Sequence, residues 1–227
     1  PLNNLSRGLF VLFPNFIGAA AEGEATQPLL QKRRQNMASK VIAYGIIPLY
    51  TMLFTKGHNW FTTNLSVIAN YFDKERAFFL WGVLVSGYCF WAHRKIKKIS
   101  DPGPACAKLI YGAILFLFCA ITTPYLPEEM PFKAVLHIIF AFIAAILIFL
   151  YLLAVIFRQY RIEKKRYFPF LAVLTGVILI SIFLLVRVGS VSSALEIFVT
   201  VATSILLERL TAVMKRGQKL NELSAVN

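Results

Sequence analysis

The stretch Lys133–Phe157, KAVLHIIFAFIAAILIFLYLLAVIF, decides the fold class. Its only ionisable groups besides Tyr151 are Lys133 and His137, both within the first five positions. A bilayer core of about 30 Å is crossed by roughly 20 largely apolar residues in helix. A helix satisfies its own backbone groups in lipid, which a lone strand does not. A barrel strand would alternate apolar with polar residues, and this run is continuous. Five further stretches have the same character: Ala38–Thr55, Arg76–Ala92, Lys108–Thr123, Phe168–Val188 and Val191–Met214. The sequence therefore predicts an all-α, polytopic membrane bundle of six transmembrane helices.

The composition agrees. Of 227 residues, 58% are hydrophobic and 15% charged, against about 45–50% apolar and roughly 25% charged in a soluble domain. This excludes an ordinary cytosolic enzyme, a disordered chain and a disulfide-framed mini-domain. The net charge of +13 does not indicate a nucleic-acid partner, because the basic residues cluster between apolar runs rather than along one soluble face. Cys89, Cys106 and Cys119 form no CxxC pair and read as free thiols.

The connections set the orientation. Lys32–Arg34 with Lys40, His93–Lys98, Arg158–Arg166 and Lys215–Lys219 are basic. The alternate connections, Asp73–Arg76, Pro124–Pro131 and Gly189-Ser190, are mixed, acidic or very short. Short cytoplasmic loops gather Lys and Arg, so both termini are expected in the cytoplasm and the protein in the inner or plasma membrane. Residues 37–216 read as the membrane domain and 217–227 as a cytoplasmic tail. Residues 1–36 read as a disordered or interfacial segment, with an artefactual extension or a signal peptide as alternatives. Their apolar piece, Gly8–Ala21, is too short to span and is interrupted by Pro14.

The longest outer connection, Lys56–Glu75, mixes aromatic residues with Asn, Ser and Thr. Such a segment suits the headgroup level, as an interfacial half-helix or as a mouth holding a headgroup through His58, Asn64, Ser66 and Asn70. Ser66, Asn70 and Asp73 fall on one face of a helical turn. His137 lies about one turn inside the fourth span. Arg187 ends the fifth and Glu196 opens the sixth, so an ion pair pinning their outer ends is expected. The alternative has Arg187 and His137 facing an anionic headgroup, with Glu196 orienting Arg187. In the sixth span Ser193, Glu196, Thr200, Thr203 and Ser204 recur at three- and four-residue intervals. That polar stripe should face the bundle interior, without an acidic residue at mid-depth for proton-driven transport.

The run Asn64–Asn70, NLSVIAN, followed by Phe78–Gly82, FFLWG, resembles a pattern in bacterial multi-helix membrane families of unknown function similar to the DRAM/Sfk-type superfamily. The resemblance covers residues 38–92 in detail and the remaining spans in layout. It implies six helices and a lipid-related or stress-related membrane role. The acidic residue that often follows the Ser in that group is replaced by Val67 here, so no headgroup or metal role carries over to the loop.

No catalytic motif stands out. There is no G-x-S-x-G elbow, H-E-x-x-H helix or phosphate-cradling Gly-rich loop, and no cofactor site is read. His58 and His137 are expected at the outer side and His93 at the inner, which argues against a three-histidine metal centre. A Ser66–His58–Asp73 trio can be drawn on paper only. The leading reading is a protein that binds or senses membrane lipids, or supports a homo- or hetero-oligomeric membrane complex, through an outer-facing polar mouth. The alternatives are a small transporter or channel subunit using the sixth-span stripe, and an outer-leaflet lipid-modifying enzyme.

Overall fold

The computed structural model describes residues 34, 35 and 37–224. The expectations for the remainder of residues 1–36, and for residues 225–227, lie outside the described residues. The chain divides after Val41 into two units. In the first, residues 37–41 are helical. The second begins with a π-helical turn at Ile42–Ile46 and continues through α1 (Ile47–Phe54), α2 (Leu65–Tyr71), α3 (Glu75–Ile99), α4 (Pro104–Thr122), α5 (Pro131–Ile162), α6 (Lys164–Val188) and α7 (Ser193–Ser224). The described residues contain no strand.

Local chemistry explains the breaks. Pro48 has no amide hydrogen and its ring crowds the carbonyl of Tyr44, so the turn before it widens. Gly103 takes φ 86° and its amide donates to Asp101 Oδ1 at 3.0 Å, with Pro104 following as the first residue of α4. Gly189, at φ 77°, caps α6 in the left-handed conformation.

Five helices are long and apolar enough to cross a membrane: Met37–Phe54, α4, α5, α6 and α7. The remaining expected span lies in α3, which has the length, about 37 Å for its 25 residues, but not the apolarity. Its first turn carries Glu75 and Arg76 and its last two turns Arg94, Lys95, Lys97 and Lys98. Between them lies a short apolar run, Ala77–Ala92, with Phe78, Trp81, Val85, Tyr88 and Ala92 buried and Phe79, Leu80, Val83 and Phe90 exposed on the outside.

The basic connector Arg158–Arg166 is not a loop. Helix α5 runs on to Ile162, Glu163 alone breaks the ladder, and α6 starts at Lys164. Arg and Lys are good helix formers, so the helices continue past the apolar run. Arg166 Nη1 lies 2.7 Å from Glu163 Oε2 across this corner. In the same way α7 continues through the expected tail to Ser224.

Helices α3 to α7 each pack on the next, and α7 returns to α3, closing a ring of five. Helix α1 lies against α3 and α7, and α2 against α3. At the α3–α4 seam a Cβ on Gly82 would stand 2.5 Å from Ile121 Cδ1 and 2.8 Å from its Cγ2, so the absent side chain is what lets these helices approach. The outward faces of α5 and α6 are apolar: Ile139, Leu150 and Phe157, then Leu179, Phe183 and Val186, are all exposed. In water so large an apolar surface is an aggregation hazard. Against acyl chains it is the ordinary exterior of a membrane bundle.

Candidate functional site: a cavity inside the helix ring

The ring encloses a cavity of about 470 Å³, within the range of small-molecule sites, roughly 300–1,000 Å³. Along α5 the lining runs from His137 to Phe149, about 18 Å at the helical rise. Nearly all of it is apolar. Ser66, His137 and Glu196 line one end together, while Ser86, Ser181, Thr200 and Thr203 add hydroxyls elsewhere along the lining. Phe142, Ile146 and Ile182 both line it and are exposed on the outside of the ring. Residues with both properties mark a mouth, and this one opens sideways between α5 and α6.

The polar end is built from the helix termini. The first amides of α7 need acceptors that its own ladder does not provide. Ser193 N donates to Thr63 O at 2.6 Å, Ala194 N to Trp60 O at 2.9 Å, and Glu196 N to Ser192 O at 3.0 Å. In return Glu196 Oε2 accepts from Leu65 N, the first amide of α2, at 2.7 Å. Asn64 caps the same helix by accepting from Val67 N at 2.7 Å, and Asn70 Nδ2 donates to Ser66 O at 2.7 Å. The α2 segment is thereby clamped across the start of α7.

Ser66 is held with its hydroxyl against a histidine. Its Oγ lies 2.6 Å from His137 Nε2. His137 Nδ1 lies 2.8 Å from Ala120 O and 2.9 Å from Thr123 O. Carbonyl oxygens only accept, so the Nδ1 proton is fixed there and, in the neutral ring, Nε2 accepts the Ser66 hydroxyl proton. The Tyr125 ring stands 5.5 Å from the imidazole. Both members of the pair are buried, at 2% and 6% exposure, and both line the cavity. Deeper in, Ser86 Oγ is buried in the lining with no hydrogen-bond partner among the described residues.

The structure distributes the expected residues unevenly. Ser66, His137, Glu196, Thr200 and Thr203 meet in the lining. Ser204 is buried beside them in sequence, and its carbonyl accepts from Tyr88 OH at 3.2 Å, while Ser193 is buried at the start of α7. Asn64 and Asn70 hold α2 rather than the cavity. His58 packs against Phe72 with the rings tilted by 59° and 4.4 Å between centroids, and its Nε2 is 3.4 Å from Lys74 Nζ, so the paper trio with Ser66 does not form. The expected Arg187–Glu196 ion pair is also absent. Arg187 is exposed at the end of α6, and the Glu196 carboxylate is instead directed to the α2 amide.

Two features escaped the sequence reading. The Ser66–His137 contact spans 71 positions, and nothing local marks it. Glu208, in register with the polar stripe but outside its expected members, is 5% exposed on α7, with Oε2 3.4 Å from Tyr88 OH. Its three- and four-residue spacing from Ser204 and Thr211, also buried, was the available signal. Among the described residues no group of His, Cys, Asp and Glu is arranged to hold a metal ion. Comparisons with protein-family models, with curated proteins and with solved structures each return no match.

Proposed function

We propose that this chain is a six-span membrane protein that holds a membrane lipid in its ring cavity. The carrying observation is the cavity itself: a largely apolar chamber, with Ser66, His137 and Glu196 together at one end and a side mouth rimmed by Phe142, Ile146 and Ile182. An acyl chain entering from the bilayer matches the apolar lining, and its ester or headgroup meets Ser66, His137 and Glu196. The unpartnered Ser86 hydroxyl supports an occupant too, since buried polar groups ordinarily find a partner. Transport along the sixth-span stripe is less well supported, because the cavity lining ends at Thr203, short of Glu208.

In this reading α3 is the sixth span, its short apolar run Ala77–Ala92 packed against the ring and α1 on one side and open to acyl chains at Phe79, Leu80, Val83 and Phe90 on the other. The basic connections then lie on the cytoplasmic side, and the polar end of the cavity faces the outer leaflet. An impermeant maleimide applied to intact cells should label Glu128→Cys and spare Lys165→Cys in a background free of native cysteines. Labelling of Lys165→Cys contradicts the orientation.

Native mass spectrometry tests the occupant. The purified protein should carry a lipid that survives delipidating detergent, and Ala141→Trp, which fills the cavity from α5, should remove it without unfolding the protein. Equal retention by the folded variant contradicts the proposal.

A further inference from the structure

We propose that Ser66 and His137 are a nucleophile and general base that cleave the acyl ester of the lipid in the cavity, an inference that rests on the lipid-holding reading above. The geometry has the three parts that such a pair requires. The hydroxyl and the imidazole are 2.6 Å apart. The ring is oriented by acceptors on its far nitrogen, the carbonyls of Ala120 and Thr123. Both reactive atoms belong to side chains that line the chamber where the substrate lies.

The orienting carbonyls also supply electrostatics. They close the C-terminal end of the 19-residue helix α4, where the helix dipole places a partial negative charge and favours a cation. A carboxylate performs the same two tasks in a Ser–His–Asp triad, fixing the tautomer and stabilising the imidazolium as it forms.

The reaction is a hydrolysis. Ser66 Oγ adds to the ester carbonyl carbon as its proton passes to His137 Nε2. The tetrahedral adduct collapses, the bond to the alcohol oxygen breaks, and His137 returns the proton to that oxygen. Water then adds to the acyl-serine carbonyl, giving its proton to His137. The acyl–Ser66 bond breaks, and the proton goes back to Ser66 Oγ. One ester and one water become one acid and one alcohol.

The test treats the purified full chain with a long-chain alkyl fluorophosphonate and maps the adduct by mass spectrometry, with p-nitrophenyl palmitate as the turnover substrate. One adduct on Ser66 is expected. Ser66→Ala should abolish both adduct and turnover, and His137→Ala should slow both by roughly 100-fold or more. A second pair of variants guards against misfolding. Ser66→Cys should be alkylated by iodoacetamide faster than the same cysteine in a His137→Ala background, a difference that a merely structural contact would not produce. Folded protein that retains lipid but leaves Ser66 unmodified overturns the pair and leaves the lipid reading standing. Ser66 modification in protein that holds no lipid supports the pair and overturns the lipid reading. Equal alkylation rates in the two cysteine variants overturn the pair.

Discussion

Glu196, in the first turn of α7, accepts a 2.7 Å hydrogen bond from the backbone amide of Leu65, 131 positions earlier in the chain. With the two bonds from Ser193 and Ala194 to the 59–64 segment, it fixes the short helix that carries Ser66. A side-chain oxygen acceptor is what this contact needs, because the first amide of a helix has no acceptor in its own ladder.

Glu196→Gln keeps an oxygen acceptor and should leave detergent thermostability nearly unchanged. Glu196→Ala leaves the Leu65 amide without its partner and should destabilise by about 1–3 kcal/mol, with faster proteolysis within residues 56–75. Equal behaviour of the two variants would show that the carboxylate oxygen does not hold α2.

Gly82 tests the ring seam. A methyl group there meets the Ile121 side chain, and overpacking of this kind costs about 1–3 kcal/mol. Gly82→Ala should therefore lower the melting temperature in detergent. Trimming the neighbour with Ile121→Val should recover part of the loss in the double variant, a coupling expected only of residues in contact. Strict additivity would place the α3–α4 approach elsewhere.

Much of the architecture was readable from runs such as Lys133–Phe157, because the requirement for about 20 apolar residues is strong and local. The Pro102-Gly103-Pro104 and Gly189 turns were equally plain, since only particular residues fit them. Helix α3 meets the apolar requirement less fully, because its apolar run, Ala77–Ala92, is short and flanked by charges at both ends. The site was readable only as an inventory. Ser66, His137 and Glu196 each stood out as polar groups near an outer helix end, but their pairing depends on how α2, α4, α5 and α7 meet. Proximity along the chain offers His58 to Ser66 and Arg187 to Glu196. In both cases the buried partner came from a different element.

Arg187 illustrates the consequence. It is exposed and does not contact Glu196, so Arg187→Ala should change stability by less than about 0.5 kcal/mol and leave lipid retention intact. A large loss of thermostability would mean that the ends of α6 and α7 are joined by an interaction absent from this structure.

The central claim, that a lipid chain occupies the ring cavity, is tested most directly by photo-crosslinking. The full-length protein in nanodiscs is irradiated with a phosphatidylcholine carrying a diazirine within one acyl chain, and the modified residues are mapped. The account predicts adducts on inward lining residues such as Leu117, Ile148 and Thr203, lost on Ala141→Trp. Adducts confined to outward residues such as Leu150, Phe157 and Ile180 would contradict it.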